Sequence, residues 1–281
     1  MIRDIAGHQN HSVKLARKLQ KRKHRRERGL LVGEGMDLLL AALQGGADIR
    51  EILIRRELVK ELPSALRERA AASVGAADIA GSDAETSSTH LNIGICDQDT
   101  LDYASSLGGS ADVIFLCAQP ARHLSELDLG SDLVFFLDGV GDPGNVGTLV
   151  RSAVAFGLGG VICSPGTADP YGPKALRGGM GAQFALPVVV EVEARDLLAH
   201  VEALSARGQV PPKILVADPR SGVDIREVRR ETAAVVVLGS ERSGPGDAWA
   251  GVQTISIAQS RFDSLNVAMA GTIIAYELSR E

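Results

Sequence analysis

The sequence predicts an α/β protein with a parallel sheet in its C-terminal half and a smaller α/β layer in its N-terminal third. Short apolar runs recur from residue 133 onward, and helical segments fit between several of them. Most of these runs are unbroken rather than alternating, as in strands that helices cover on both faces. The chain has 281 residues, more than one domain usually contains. We therefore expect two domains, each able to bury a core.

In the N-terminal third, helices and strands are predicted to alternate. Apolar residues at helical spacing predict the first helix, and a glycine pair ends the second. The alternation implies a small α/β layer. The predicted helices are 12–23, 36–43 and 58–72, and the predicted strands are 30–35, 49–54 and 113–116.

In the C-terminal half, the apolar runs predict strands and the amphipathic stretches predict helices. A parallel sheet of this kind binds its ligands at the carboxyl ends of the strands. The predicted strands are 133–137, 160–163, 185–190, 214–217, 233–238 and 254–257, and the predicted helices are 146–156, 174–179, 194–206 and 265–278.

Two polar stretches suggest how the domains are divided. The Ser/Thr-rich segment 80–91 predicts a loop, and the polar segment 120–130 predicts a linker. These give an N-terminal domain at 1–119 and a C-terminal domain at 131–281.

A glycine-rich turn follows the first strand of the C-terminal half. Gly139, Gly141 and Gly144 have the G-x-G-x-x-G spacing of a dinucleotide fold. However, Pro143 removes a backbone N–H from the stretch that should face a pyrophosphate, and no acidic residue ends the next apolar run, 160–163. A phosphate-binding P-loop is excluded as well, because no lysine follows these glycines. The turn must serve another purpose.

Composition indicates an intracellular protein without a metal site. Cys96, Cys117 and Cys163 are odd in number and far apart, which is typical of reduced core thiols in a cytoplasmic protein. The six histidines show no metal-ligand spacing. No leader peptide is visible, and the apolar runs are too short to span a bilayer. We expect a cytoplasmic location with no membrane partner.

The net charge of −5 hides a strong asymmetry. The first 30 residues contain ten lysines and arginines against two acidic residues. Such a cluster is expected to bind a polyanion with salt-dependent affinity, although a solvated helix face is the ordinary alternative. Lys14, Lys18 and Arg22 are spaced four apart and would share one face of the predicted helix.

Three segments in the C-terminal half resemble the conserved motifs of one enzyme family. The segments Asp138 to Arg151, Gly239 to Gly244 and Ile257 to Val267 are similar, in this order, to those of the SpoU/TrmH family of RNA ribose 2′-O-methyltransferases. The resemblance implies S-adenosylmethionine as cofactor, a homodimer, and a SPOUT domain whose C-terminal segment forms a deep trefoil knot. Periodicity could not reveal that knot.

A second, weaker resemblance covers about the first 100 residues. Asn10, Lys14, Leu19 and the pair Glu34-Gly35 lie where the family's ribosomal-protein-like RNA-binding domain has similar residues. This resemblance makes RNA contact by the basic segment the better interpretation.

The resemblance assigns the catalytic residues. It implies that Arg151 lies near the target phosphate and hydroxyl, and that Asn145 braces the site. It also implies that Glu241 orients its neighbours, and that Ser264 and Asn266 hold the acceptor nucleotide and the arginine. From the pattern alone, Arg151 points away from its helix's apolar stripe and would be an ordinary solvated arginine. Likewise, Ser264 could be a helix N-cap and Asn266 an early polar helix position.

The resemblance also places the cofactor. It implies contacts with backbone groups of Ala217, Gly239, Ile257 and Leu265, and it makes Arg177 a phosphate contact, for which a surface salt bridge is the alternative. Two departures from the family's pattern weaken the cofactor-loop assignment: Ala258 and Gln259 stand where proline and methionine are usual, and Gly179 stands where serine is common.

The resemblance therefore implies methyl transfer from S-adenosylmethionine to a ribose 2′-hydroxyl of RNA, with an RNA substrate-binding domain at 1–119 and a catalytic domain at 131–281. 23S ribosomal RNA is the first choice of substrate. Transfer RNA is the second choice. A catalytically silent RNA-binding protein and, more remotely, a nicotinamide-dependent dehydrogenase stay open. The sequence gives neither the nucleotide nor whether the modification serves ribosome maturation or antibiotic resistance.

Overall fold

The computed structural model describes residues 1–73, 90–106, 111–229, 233–241, 243–260 and 264–280. The chain divides into two compact units. The N-terminal unit comprises Met1–Pro120 and Tyr171–Pro173, and the C-terminal unit comprises Ala121–Pro170 and Lys174–Glu281. The loop expected at 80–91 lies almost wholly outside the described residues.

The N-terminal unit contains a mixed five-stranded sheet in the order β1-β4-β3-β5-β2. β1, β4 and β3 run parallel, whereas β5 is antiparallel to β3 and β2. Buried residues of the first and last helices pack against this sheet in one apolar cluster. The strands are β1 (Ile2–Asp4), β2 (Leu30–Glu34), β3 (Ile49–Arg55), β4 (Asn92–Cys96) and β5 (Val113–Ala118), and the helices are α1 (His11–Leu19), α2 (Arg22–Arg28), α3 (Met36–Gln44), α4 (Ser64–Ala72) and α5 (Gln98–Ala104).

The helix predicted over 12–23 is broken in the structure. α1 ends at Leu19, and Lys21 has an extended backbone before α2 begins. The buried guanidinium of Arg25 donates hydrogen bonds to the carbonyls of Leu19 (2.8 Å) and Gln20 (3.0 Å), which satisfies carbonyls that the end of a helix leaves without partners. Arg22 therefore does not continue the face that carries the lysines of α1, and the expectation of a single basic face was wrong.

The C-terminal unit contains a parallel seven-stranded sheet in the order β10-β12-β9-β11-β6-β7-β8. Most of its strands are buried, as the unbroken apolar runs predicted. The strands are β6 (Leu133–Asp138), β7 (Gly160–Cys163), β8 (Val188–Val190), β9 (Lys213–Ala217), β10 (Val223–Asp224), β11 (Ala234–Gly239) and β12 (Thr254–Ser256), and the helices are α6 (Pro143–Ala155), α7 (Pro173–Gly179), α8 (Ala194–Ala206) and α9 (Val267–Ser279).

Residues 121–130, expected to be part of a linker, pack into the C-terminal unit. The segment forms a 3-10 turn at Leu124–Glu126. Leu127 and Leu129 are buried in the same apolar cluster as residues of β6 and β7. The polar side chains that suggested a linker alternate with these buried leucines.

The strand order of the parallel sheet reverses direction beside β6. β7 and β8 extend the sheet on one side of β6, whereas β9 lies on the other side and β11 is inserted between β9 and β6. The paired strands β6 and β11 end together, with Asp138 opposite Gly239. A reversal of this kind separates the loops that leave two neighbouring strands and opens a crevice between them.

Close helix packing fixes α6, the helix that follows β6. A Cβ atom on Gly147 would lie 2.3 Å from the carbonyl oxygen of Ala175 and 2.8 Å from the backbone nitrogen of Gly179, so α7 rests directly on the backbone of α6. On another side, a Cβ on Gly271 of α9 would lie 2.3 Å from Leu149. α6 is therefore clamped by α7 and α9.

No helix among the described residues combines the length and the apolar character needed to cross a membrane.

Candidate active site

The first turn of α6 is fixed by Asp142. Its Oδ1 accepts hydrogen bonds from the backbone nitrogens of Gly144 (2.7 Å) and Asn145 (3.0 Å), so it is the N-cap, and Pro143 occupies the first turn, where a missing N–H has no cost. Lys174 donates to Asp142 Oδ2 at 2.9 Å. The hydrogen bond from Lys174, followed by that from the Asn145 backbone, lowers the pKa of Asp142. The cap therefore stays charged and holds Asn145 at the sheet edge.

The loop after β11 folds back tightly. A Cβ on Gly239 would lie 2.2 Å from the backbone nitrogen of Pro245, and Gly244 donates to the carbonyl of Ser240 at 2.8 Å. Asp138, at the end of β6, accepts hydrogen bonds of 2.9 Å from Gly246 N and Trp249 Nε1. These bonds tie the loop to the neighbouring strand.

Three side chains from the three sequence motifs meet at this edge. The amide nitrogen of Asn145 donates to Glu241 Oε1, and Asn266 Nδ2 donates to Asn145 Oδ1 at 3.1 Å. Asn266 is itself held, because its Oδ1 accepts from the backbone nitrogens of Ala268 (2.9 Å) and Met269 (3.3 Å) at the start of α9. The structure therefore joins Glu241, Asn145 and Asn266 in one chain of hydrogen bonds.

The N-cap of α9 is Asn266 and not Ser264. Ser264 is exposed, three residues before the first residue of the helix. Among the hydrogen bonds of the described residues, its hydroxyl takes no part in this network. The side chain is therefore available to a ligand at the same edge.

Arg151 is exposed on α6, away from the helix's buried stripe, as its position in the sequence predicted. It lies six residues after Asn145, which corresponds to about 9 Å along a helix. Its Nη1 is 3.1 Å from the sulfur of Met180, whose φ of +49° is unusual for a residue with a side chain. In this structure Arg151 is thus anchored beside Met180 rather than within the Asn145 network.

The residues expected to contact a cofactor lie along adjacent strand ends. Ala217 ends β9, Gly239 ends β11, and Ile257 directly follows β12. These strands are neighbours and parallel, so their carboxyl ends share one edge of the sheet. Leu265, 39% exposed, precedes the N-cap of α9. Close by in the sequence, Gln259 Oε1 is a buried acceptor that has no hydrogen-bond partner among the described residues.

The expected RNA-binding residues lie in both units. Lys14 and Lys18 are exposed on α1, Arg22 is partly exposed at the start of α2, and Arg177 is exposed near the end of α7. The first three belong to the N-terminal unit and Arg177 to the C-terminal unit.

Sequence reasoning missed the supporting acids at this edge. Asp142 stands directly before Pro143, a signal for a helix N-cap that could have identified it. No local sequence pattern indicated the role of Asp138, because its hydrogen-bond partners lie more than a hundred residues away along the chain. Among the described residues, no group of three or more histidines, cysteines or acids could hold a metal ion.

Comparison with known proteins identifies the family to which this chain is similar. The SpoU rRNA Methylase family matches residues 132–276, and the MRM3-like substrate binding domain matches residues 10–86. The chain is 27% identical over 280 residues to the 23S rRNA (guanosine(2553)-2′-O)-methyltransferase of Bacillus subtilis, covering 99% of each protein. It is 32% identical over 174 residues, 60% of each, to the 23S rRNA (uridine(2479)-2′-O)-methyltransferase of Streptomyces viridochromogenes.

Solved structures share the fold over nearly the whole chain. The SpoU methyltransferase AviRb of Streptomyces viridochromogenes, in complex with AdoMet, superimposes with a TM-score of 0.79 at 25% identity over 96% of this chain and 97% of that chain. An rRNA methyltransferase from Sinorhizobium meliloti also gives a TM-score of 0.79, at 24% identity over 98% of this chain and 96% of that chain. With the family match extending across the strands and helices that build the edge described above, the chain belongs to the SpoU rRNA Methylase family.

Proposed function

We propose that the protein transfers a methyl group from S-adenosylmethionine to a ribose 2′-hydroxyl of 23S ribosomal RNA. The hydrogen-bond chain Glu241–Asn145–Asn266 is the observation that carries the proposal, because it assembles side chains from all three motifs at one edge of the sheet. The relative from Bacillus subtilis, similar over 99% of both chains, supports ribosomal RNA as the substrate.

The activities of three relatives support a reaction at the ribose rather than at the base. Three curated relatives methylate a guanosine, a uridine and an adenosine of 23S rRNA, each at the 2′-oxygen. The feature common to these substrates is the ribose. The site is therefore expected to position the sugar and its phosphate, while the choice of nucleotide depends on other contacts.

The residues at the strand ends fit S-adenosylmethionine. Ala217, Gly239 and Ile257 offer backbone groups along one edge, and such groups can bind an adenosine without charged side chains. The buried, unpartnered Oε1 of Gln259 fits a ligand that donates hydrogen bonds, as the amino group and hydroxyls of this cofactor do. The bound cofactor supplies an activated methyl group on a sulfonium.

The protein's own residues must align the ribose and ease the loss of its proton. The cation of Arg151 stabilises a hydroxyl as it becomes negative, and it also attracts the adjoining phosphate. Asn145, Asn266 and Glu241 hold one another rigidly, so the groups they present do not reorganise during the reaction. In this proposal the Ser264 hydroxyl contacts the acceptor nucleotide, in keeping with its exposed position.

We further propose that the active enzyme is a homodimer. Met269, Ile273 and Tyr276 form an apolar stripe on the outer face of α9 and are 59%, 37% and 49% exposed. Their spacing places them on one side of the helix, and Val154 of the adjacent α6 extends the apolar surface. A second copy would cover this surface in a symmetric interface close to Arg151.

The N-terminal unit is proposed to bind RNA, in keeping with its match to a substrate binding domain and its exposed basic helices. We also propose the SPOUT-type trefoil knot, which the match to the SpoU rRNA Methylase family supports. A cytoplasmic location agrees with three buried cysteines.

The proposal is tested by mapping ribose methylation in total RNA with and without the gene. The expected result is one 23S position that loses its methyl group when the gene is deleted. Loss of a methyl group from a transfer RNA would identify transfer RNA as the substrate. An unchanged methylation map would favour the alternative of a catalytically silent RNA-binding protein. In parallel, S-adenosylmethionine should raise the melting temperature of the purified protein, whereas NAD should not.

A further inference from the structure

A three-layer stack of side chains lies on the surface of the N-terminal unit. The rings of His8 and Tyr103 are parallel within 5°, with centroids 4.1 Å apart. The guanidinium carbon of Arg17 lies 4.3 Å from the centroid of the Tyr103 ring. Because a parallel ring at 4.1 Å fills one face of Tyr103, the guanidinium occupies the other.

Both outer layers are held in place by hydrogen bonds. His8 Nε2 lies 2.8 Å from Asp99 Oδ2. Arg17 donates from Nη1 to the backbone carbonyl of Tyr103, which keeps the guanidinium against the ring. The guanidinium is thus held over the Tyr103 ring, and Arg17 is an exposed residue, so the side of the guanidinium away from the ring is open to a ligand. The Arg17 side chain is already ordered in the free protein, so binding a ligand there does not require a further loss of its conformational entropy.

The surroundings of Arg17 fit a nucleotide. Lys14 lies one helical turn before Arg17 on the same side of α1 and is exposed. Unpaired bases stack on planar guanidinium groups, and neighbouring lysines bind phosphates as point charges. A planar cation and a lysine one turn apart therefore match a base and the phosphate next to it.

We propose that the outer face of Arg17 is a stacking site for an unpaired nucleobase of the RNA substrate, with Lys14 binding the adjoining phosphate. This inference rests on the proposed function, since it requires RNA as the partner, and it adds that the N-terminal unit recognises a looped rather than a fully paired segment. The buried Arg25 cannot serve in this way, because its guanidinium is directed to the carbonyls at the end of α1.

The test separates stacking from charge. Arg17→Lys keeps the positive charge but removes the planar face, and Arg28→Lys makes the same change at another exposed arginine of the basic segment. Each full-length protein is titrated with a short RNA hairpin that carries 2-aminopurine at successive loop positions, and with a fully paired duplex of the same length. Titrations are repeated over a range of salt concentrations.

The wild-type protein should prefer the hairpin and quench 2-aminopurine at one loop position. Arg17→Lys should abolish this quenching and weaken hairpin binding about fivefold or more, because stacking contributes substantially per base. The slope of log affinity against log salt should stay unchanged, since the charge is retained. Arg28→Lys should bind as the wild type does.

Three results would overturn the inference. These are a wild-type protein that quenches no loop position, an Arg17→Lys variant with wild-type affinity and quenching, or equal binding of hairpin and duplex. S-adenosylmethionine affinity, measured on the same preparations, distinguishes the failures. If the wild-type protein binds the cofactor but Arg17→Lys has no effect on RNA, only the stacking site is wrong; if the cofactor does not bind, the proposed function is wrong.

Discussion

Asn266 Nδ2 lies 3.1 Å from Asn145 Oδ1, so the residue that caps α9 also orients a residue in the first turn of α6, 121 positions earlier in the chain. The oxygen of the Asn266 amide is used by the backbone nitrogens of its own helix. This fixes which end of the amide faces Asn145, and Asn145 in turn presents its nitrogen to Glu241. The orientation of the site therefore originates in a helix cap.

Asn145→Asp should lower the kcat/KM of methyl transfer about tenfold or more. The new carboxylate would lie against that of Glu241 and could not donate to it, so an attraction becomes a repulsion. In the double variant Asn145→Asp with Glu241→Gln, the glutamine amide can donate to the new carboxylate, and activity should partly return. Initial rates for the four proteins form a double-mutant cycle. A double variant no more active than Asn145→Asp alone would mean that the pair does not act together.

Arg151→Ala should reduce kcat by about a hundredfold or more while the affinity for S-adenosylmethionine and the melting temperature stay near the wild-type values. The loss is expected because a positive charge that stabilises developing negative charge is removed. The fold should tolerate the change, since Arg151 is exposed and contacts only the Met180 sulfur among the described hydrogen bonds. Arg195→Ala, at another exposed arginine of the C-terminal unit, is the control. Turnover of Arg151→Ala close to that of the control would exclude Arg151 from the mechanism.

The strands that the sequence predicts best are those buried on both faces, such as β6 and β11, because a continuous apolar run leaves a clear local signal. β4 was missed because Gly94 interrupts its pattern. A Cβ at Gly94 would lie 2.3 Å from Ile5, so tertiary packing requires the glycine. The break between α1 and α2 was missed for a similar reason, since the position of the buried Arg25 is not encoded in helical periodicity.

The contacts of the site depend on strand order, which periodicity does not give. Glu241 can reach Asn145 only because β11 lies beside β6, although the two strands are separated along the chain by β7 to β10. The resemblance to a family named residues from all three segments without showing which atoms pair. Asn266 illustrates the difference: its role as the N-cap of α9 was assigned to Ser264 in the alternative interpretation.

Gly147→Ala should destabilise the protein by about 2 kcal/mol. The new methyl group would meet the backbone of α7 at 2.3 Å and 2.8 Å, and neither backbone group can rotate away as a side-chain end could. Gly141→Ala is the matched control, because a Cβ there has no atom within 4 Å. Urea unfolding of both variants, followed by circular dichroism, gives the comparison. Equal unfolding midpoints would mean that α6 and α7 can separate without cost.

Asp142→Asn should lower stability near neutral pH by a few tenths of a kcal/mol to about 1 kcal/mol, because the pair with Lys174 is exposed and screened by solvent. Asparagine caps helices well, so the cap itself should survive. The folded pKa of Asp142 lies below its unfolded value of about 3.9. Its contribution is therefore complete above about pH 4 and is lost as the pH falls through the folded pKa.

The free energies of unfolding of wild-type protein and Asp142→Asn should accordingly converge at low pH. Urea titrations at about pH 7 and at about pH 3 measure this. A difference that stays constant between these pH values would show that the loss at neutral pH comes from the cap geometry and not from the charge.

Replacing Lys14 and Lys18 by alanine should weaken RNA binding and reduce its dependence on salt. Both lysines are exposed on α1, one turn apart, where two successive phosphates could be bound. Each lost phosphate contact should lower the slope of log affinity against log salt by about 0.7 to 0.9.

Adding Arg22→Ala tests the break between α1 and α2: if Arg22 also binds a phosphate, the slope falls by a third increment of the same size. Arg195→Ala with Arg207→Ala removes two exposed charges from the C-terminal unit and serves as the control. S-adenosylmethionine affinity should be unchanged in all of these variants, and saturating RNA should partly restore turnover in the lysine variants. An unchanged salt slope in the Lys14 and Lys18 variant would make α1 a solvated face and direct the search for RNA contacts to Arg177 in α7.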